Sequence, residues 1–253
     1  MIQKNLFLVE IIHEYESPHQ TADLKVIGRG NDGHDYALKR LEDAPLLPAT
    51  EWVCHSLCRA IGIPTPDFAA VRRLAAGDIA FGSRIDKTLV QVLNQQVKGA
   101  EPIEVTIAKL FSQSITAQSQ ILGLDATVGN VDRHSRNFLF RKTSSGTHIP
   151  LAFDFSQAWV AKKQPFGSTP WPSDSGSAKM SKYLNDLGKF DASAARATIE
   201  RLCALPEHVL QDALNSCDPS WVHEHNWEPT LDAWAQRHNH IKPMAKQNFA
   251  DMP

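Results

Sequence analysis

The sequence predicts an α+β chain of two lobes, β-rich at the N-terminal end and helical at the C-terminal end. Three observations predict it. Apolar runs of strand length, separated by glycine-bearing turns, fill the chain before residue 90, the pattern left by strands joined through hairpins. Helical periodicity dominates after residue 103, where apolar positions recur every three or four residues. Within that second half, two acidic residues, Asp132 and Asp154, bracket a single short hairpin. The boundary is expected between residues 90 and 103, giving lobes over 1–95, with one helix, and 96–253.

At 253 residues the chain is long enough to bury a substantial core. Residues 6–12 read as a first strand, Ala22–Ile27 as a second and His34–Leu41 as a third. Between the last two lies Gly28-Arg29-Gly30-Asn31-Asp32-Gly33. Its Asn31-Asp32-Gly33 is a hairpin signal, the favoured reading; the other is a cover over nucleotide phosphates by Gly28 and Gly30, itself a hairpin. Thr50–Ile61 reads as a helix, with Thr50 as N-cap and Gly62 just past its end. Trp52 or Val53, Leu57 and Ile61 mark its buried face. Glu51 sits in the first turn, where the helix dipole alone favours an acid and where it is equally placed to pair with Lys39 on the third strand.

Phe68–Leu74 and Asp78–Ile85 follow as two strands about a turn at Ala75-Ala76-Gly77. Residues 103–124, free of Pro and Gly until Gly123, read as one long helix leading into the Asp132 loop. Phe138–Lys142 is a strand, Thr143–Gly146 a turn, and Ile149–Phe153 a returning strand that carries Asp154 back beside Asn137. Lys162–Ser181 is polar and rich in Pro, Gly and Ser, fitting a mobile activation segment or a solvated loop equally. Residues 191–204, 206–216 and 228–241 are helical by periodicity, and no internal repeat is present.

Chemistry concentrates in Gly129-Asn130-Val131-Asp132-Arg133-His134-Ser135-Arg136-Asn137 and in Asp154-Phe155-Ser156. In phosphoryl transfer of the protein-kinase type, a loop Asp accepts the proton of the attacking hydroxyl. An Asn five positions on and the Asp of a D-F-G turn hold Mg²⁺. Asp132, Asn137 and Asp154 can be read in those roles, so the expected architecture is a two-lobed, protein-kinase-like α+β fold. The plain alternative is a charged surface loop before an ordinary hairpin. Arg133 and Arg136 either bind phosphate or acidic acceptor residues or, more simply, are solvated.

Net charge is −2, so no polyanion footprint points to nucleic acid or an anionic membrane. No run approaches a membrane span. The first fifteen residues lack the form of a signal peptide, so a cytoplasmic location is expected. Cys54, Cys58, Cys203 and Cys217 form no C-x-x-C pair and read as free thiols. His223-Glu224-His225 and His238-Asn239-His240 lack further ligands at zinc-site spacing and read as surface histidines.

Asn130–Phe138, with its D-R-H-x-x-N core, resembles the HipA-like kinases, bacterial serine/threonine kinases associated with toxin–antitoxin systems, and more distantly the phosphoinositide kinases. Tyr36-Ala37-Leu38-Lys39, the helix from Glu51 through Ile63-Pro64-Thr65-Pro66, and Asp154-Phe155-Ser156 resemble further family features, over about residues 22–240. The resemblance implies Asp132 as catalytic aspartate, Asn137 and Asp154 as Mg²⁺ ligands and Lys39 as the clamp on ATP phosphates, partnered by Glu51. His134 would support the loop, or else be a packed core histidine. It also implies ATP and Mg²⁺ as cofactors, a protein substrate and an antitoxin partner. Set against full-length HipA toxins, the chain reads as a compact kinase domain without the extra N-terminal module. Its glycine loop carries no Ser, so autophosphorylation there does not carry over, and Ser156 stands at the third position of the D-F-G turn.

The function expected is an ATP-dependent kinase phosphorylating Ser or Thr of a protein, as a toxin of a toxin–antitoxin pair. The alternatives are an inactive kinase-fold binding module, a kinase of a small molecule or lipid, or a nucleotidyl transferase.

Overall fold

The computed structural model describes residues 8–17, 26–86, 89–91, 103–161, 171–222 and 226–244. Strands β1 (Val9–Glu16), β2 (Val26–Gly30), β3 (Asp35–Lys39), β4 (Phe68–Arg73) and β5 (Asp78–Ile85) form a closed barrel in the order β1-β2-β3-β5-β4. All neighbours are antiparallel except β1 and β4, whose parallel pairing of Val9 with Val71 and Ile11 with Arg73 closes the ring. Closure removes the open edges that a five-stranded sheet would otherwise expose. Alternation fills the interior: Tyr36 and Leu38, two apart on β3, meet Ile11, Val71 and Ala80.

Helix α1 (Leu47–Ile61) lies between β3 and β4 in sequence and buries Val53, Cys54, Leu57, Cys58 and Ile61. It starts three residues before Thr50. Leu46 takes a left-handed conformation at φ 59°, Pro48 occupies the first turn, and the Thr50 hydroxyl donates 2.8 Å to the Leu46 carbonyl instead of capping. Gly62 ends the helix at φ 73°, as expected.

A second sheet, β6-β7-β8, comprises β6 (Leu89–Gln91), β7 (Phe138–Lys142) and β8 (His148–Ala152). The hairpin read between residues 138 and 152 is present, with Phe138 opposite Ala152 and Lys142 opposite His148. The single helix expected over 103–124 is instead two, α2 (Ile103–Ser112) and α3 (Ile115–Val128). Ser114 makes the break: its hydroxyl donates 3.0 Å back to the Leu110 carbonyl, and the residue stands at the N-cap position of α3. Gly123 therefore lies inside α3, where a Cβ would come within 2.3 Å of the Ala195 carbonyl oxygen. That residue is on α5 (Ala192–Cys203), so glycine is what lets the two backbones touch.

The remaining helices are α4 (Gly176–Asp186), α6 (Glu207–Asn215) and α7 (Glu228–Met244). The polar stretch ending at Ser181 is thus helical from Gly176, with Ser175 as N-cap accepting from the Ala178 amide, and Trp171 before it is buried. C-terminal residues reach back to the first half: Trp221 Nε1 donates 2.8 Å to the Ile79 carbonyl, Arg201 donates 2.8 Å to that of Ile61, and Trp52 donates 2.9 Å to Ser216. One apolar core runs from α1 and Phe81 through Phe138 and Phe140 into α3, α5 and α6.

The beginnings of the first two strand readings, residues 162–170, His223-Glu224-His225 and the expected lobe boundary at 95 lie outside the described residues. All four cysteines are free. Among the described residues no helix is long and apolar enough to cross a membrane.

Candidate active site

Three side chains from distant parts of the chain converge on one buried point. Tyr36 and Leu38 face the barrel interior, so the alternation of β3 sends Lys39 to the opposite side, under α1. Its Nζ lies 3.0 Å from Asp154 Oδ1 and 3.8 Å from Glu51 Oε1. Glu51 Oε1 also accepts the Phe155 amide at 2.9 Å, so α1 holds the turn that presents Asp154. Asp154 itself sits at φ 61°, a left-handed conformation that Asp tolerates better than most residues and that is often stored at functional sites.

All three groups are at most 5% exposed, and the charges divide accordingly. Burial pushes the Glu51 carboxyl up to about 8, with the Lys39 charge offsetting only part of the rise. Burial acts on Asp154 in the same sense, but the Lys39 ammonium and hydrogen bonds from Lys39 and Ser156 outweigh it and hold its carboxyl below the ordinary value. The two carboxyls are thus driven apart, Asp154 towards the carboxylate beside Lys39 and Glu51 towards the protonated acid, which limits the charge that must be buried. Beside it, burial drives His55 down to about 3. Its ring is packed among Phe68, Phe81 and Phe155, and its Nδ1 lies 2.9 Å from the Glu51 carbonyl.

The Asp132 loop is built at the end of α3. Gly129, at φ 63°, turns the chain out of the helix. Arg133, fully buried, then folds back onto α3 and grips Asp125 with both Nε (2.7 Å) and Nη2 (2.9 Å). Its Nη1 donates to the carbonyls of Asn137 and Phe153, joining the loop to the strand end that leads into Asp154. Asn130 Nδ2 donates 2.9 Å to the same Asp125. The Asn137 amide donates 2.8 Å to the Asp132 carbonyl, so the two residues are locked across the loop. The Asp132 carboxylate is left 41% exposed, whereas Asn137 and Asp154 are buried. Helix α4 supports the loop from outside: Ser177 accepts the Arg133 amide at 2.9 Å and donates 2.7 Å to the Asn130 carbonyl.

The family model of the HipA-like kinases matches residues 9–165, which span Lys39, Glu51, the Asp132 loop and Asp154. The chain belongs to the HipA-like kinase family. No curated protein matches the sequence. Among solved structures, this HipA-like kinase is similar to the Helicobacter pylori proinflammatory kinase CtkA at 12% identity and a TM-score of 0.60, covering 94% of this chain and 96% of that one. At that identity the likeness is one of fold, a β-rich N-terminal part followed by a helical C-terminal part. A match to HipA of the Shewanella oneidensis MR-1 toxin–antitoxin system has 12% identity and a TM-score of 0.47, covering 85% of this chain and 58% of that one.

For several residues of this HipA-like kinase the structure separates the readings that the sequence left open, and for Arg133 it departs from both. Arg133 is neither solvated nor phosphate-facing; it is the buried brace of the loop, because Asp125, eight residues upstream and buried in the last turn of α3, receives it when the chain folds back past Gly129. Arg136 is exposed. His134 is not a core residue: its side chain is 43% exposed, its Nδ1 accepts the Arg136 amide and its Nε2 is 3.9 Å from Asp132. Gly28 faces the barrel interior, where a Cβ would approach Ile11 to 2.7 Å, so packing alone accounts for a glycine there. Gly30 lies at the Asp32-Gly33 hairpin, where Asp32 binds the Tyr36 hydroxyl at 2.7 Å. The residues that sequence reasoning missed are Asp125, Asn130 and Ser177. An acid among apolar residues near the end of α3, eight residues before Arg133, was the available signal.

The donor set fits Mg²⁺. Among the described residues no group of three or more His, Cys, Asp or Glu side chains is assembled for a metal, and Mg²⁺ needs none, since it takes one or two protein oxygens and completes its shell with phosphate and water. Asp154, buried with its carboxyl held below the ordinary value, would serve as one such ligand, and the side-chain oxygen of Asn137, whose nitrogen is tied to the Asp132 carbonyl, would offer a second.

Proposed function

We propose that the chain is a Mg-ATP-dependent kinase of two lobes, bounded near residue 95, that transfers the γ-phosphoryl group of ATP to a Ser or Thr hydroxyl of a protein. The observation that carries this reading is the convergence of Lys39 and Glu51 on Asp154, beside a loop in which Asn137 is fixed to Asp132.

In this reading Lys39 leaves Asp154 for the ATP phosphates and is steadied by Glu51, already 3.8 Å away. Asp154 and Asn137 would hold Mg²⁺, which would neutralise charge on the ATP phosphates. Asp132, the exposed carboxylate of the loop, receives the acceptor hydroxyl. The hydroxyl oxygen forms a bond to the γ-phosphorus, the bond from that phosphorus to the β–γ bridging oxygen breaks, ADP departs and the hydroxyl proton passes to Asp132. Arg133 takes no part in the transfer; it keeps Asp132, Asn137 and the Asp154 turn in one frame.

Near-zero net charge gives no attraction to anionic membranes, which disfavours a lipid acceptor and agrees with a cytoplasmic enzyme. Family membership supports a toxin–antitoxin role with an antitoxin partner. Incubation with γ-labelled and, separately, α-labelled ATP tests the chemistry. Transfer of γ-label alone, lost in EDTA, is expected; transfer of α-label would make it a nucleotidyl transferase. Expression of wild type and Asp132→Asn in a bacterial host tests the acceptor: slowed growth and new phosphoserine or phosphothreonine sites are expected with wild type only.

A further inference from the structure

A pocket of about 340 Å³ opens beside the Asp132 loop, lined by His134, Ser135, Gly176, Lys179, Met180 and Tyr183. Its walls come from the end of the loop and from one face of α4. The two parts are in close contact, since a Cβ at Gly176 would stand 3.3 Å from Asp132 Oδ1. The pocket therefore adjoins the carboxylate assigned to the acceptor hydroxyl, and His134, which lines it, lies 3.9 Å from that carboxylate.

Its chemistry is apolar at the floor and cationic at the rim. Met180 is buried at 6% exposure, yet Tyr183, one turn on, is 44% exposed and Leu187 is 45% exposed. At 100° per residue, positions 176, 180 and 183 fall within one face of α4 and Leu187, its C-cap, continues that face, so the apolar strip starts beside Asp132 and runs outward along the helix. Lys179, exposed, flanks it. A small hydrophilic substrate would gain nothing from an open strip of this kind. A polypeptide would, because it can place a hydroxyl at Asp132 and a neighbouring side chain on Met180 and Tyr183.

We propose that this pocket is the acceptor-recognition site of the kinase, taking a large apolar side chain that lies next to the phosphorylated Ser or Thr in the acceptor polypeptide. The inference rests on the kinase reading above and extends it by naming what selects the acceptor. Leu187 continues the contact for the residues beyond, and Lys179 favours an acidic neighbour on that side. Gly176 keeps the passage between pocket and Asp132 clear.

The test uses the full chain, γ-labelled Mg-ATP and a serine peptide library randomised at the flanking positions. Wild type should enrich Leu, Met or Phe at one position near the serine, by roughly 10-fold or more over Ala or Ser, the range a hydrophobic pocket can discriminate. Tyr183→Ala should flatten that preference and raise KM for the best peptide about 10-fold with a smaller effect on kcat. Tyr183→Phe should retain the preference, and Lys179→Glu should replace the acidic preference by a basic one. Tyr183 and Lys179 are exposed, so both variants should fold, and calorimetry with Mg-ATP reads the nucleotide side separately. A flat wild-type profile, or Tyr183→Ala keeping the wild-type profile, overturns the pocket assignment. Mg-ATP binding with no peptide phosphorylated overturns it while leaving the nucleotide assignments standing; failure to bind Mg-ATP overturns both.

Discussion

Lys39 and Asp154, 115 positions apart in the chain, meet at 3.0 Å in a site from which water is almost excluded. The pair is what fastens β3 of the barrel to the turn after β8. Removing the cation leaves a buried carboxylate unpaired, which costs about 3–5 kcal/mol. Lys39→Met is therefore expected to destabilise the protein by that order in urea, and Lys39→Met with Asp154→Asn to be less destabilised than the sum of the single variants. Chemical denaturation of the four proteins completes the cycle, and strict additivity would show that the pair is not coupled.

Glu51 gives stability a pH dependence of unusual sign. Its carboxyl, pushed up to about 8 in the fold by burial, holds a proton that the unfolded chain releases near 4.5. The stabilisation is complete below the unfolded value and is lost as pH rises through the folded one. His55, driven down to about 3, acts oppositely: its contribution is present above 6.5 and lost as pH falls. Between pH 6.5 and 8 only Glu51 of these two titrates, so unfolding free energy should decline there by at most about 1.4 kcal/mol per pH unit. Glu51→Gln should remove the decline. Urea midpoints at pH 6.5, 7.2 and 8.0 check it, and equal slopes for both proteins would refute the assignment.

Arg133 makes two bonds to Asp125 and two to backbone carbonyls at full burial. Lysine has one nitrogen where arginine has a fork. Arg133→Lys should therefore lose several of these bonds, destabilise by a few kcal/mol by the same buried-pair reasoning and lower kcat through the loop. Arg133→Met should be worse, and partly rescued by Asp125→Asn. Thermal melts and single-turnover transfer give the two readouts; a solvated Arg133 would leave both unchanged.

On the proposed role of Asp132 at the acceptor hydroxyl, Asp132→Asn is expected to slow transfer by roughly two to four orders of magnitude while keeping Mg-ATP affinity. Asp154→Asn should reduce both. Radiometric transfer and calorimetry on the same preparations separate the two roles, and near-wild-type transfer by Asp132→Asn would remove it from the catalytic position.

Gly123→Ala places a methyl 2.3 Å from the Ala195 carbonyl oxygen. The clash is with backbone, so α3 and α5 must part. Overpacking of this kind costs about 1–3 kcal/mol, although alanine favours an isolated helix by ~1 kcal/mol. A lower melting temperature is expected, and a higher one would mean that α5 shifts without loss.

By itself the sequence determined the features that local chemistry writes down. The 138–152 hairpin follows from strand residues about a glycine turn, α1 from its apolar spacing and Gly62, and Lys39 lies on the strand read over His34–Leu41. The Asp132–Asn137 spacing likewise predicts a tight loop that brings the two residues together, although the bond that forms runs from the Asn137 side chain to the Asp132 backbone carbonyl. Tertiary structure decided what depends on partners that spacing does not encode. Glu51 looked equally suited to the helix dipole, and only its burial against Phe155 and Lys39 made it part of the site. Arg133 resembled a surface arginine because hydropathy counts its charge and not Asp125, which neutralises it inside the fold. Gly123 falls next to the end of the helix read over 103–124, whereas the approach of α5 places it inside α3. The barrel closes through a parallel β1–β4 pairing that joins residues some sixty positions apart. In each case the deciding interaction is long-range, and its energy comes from desolvation and close packing, which exist only once the distant segment has arrived.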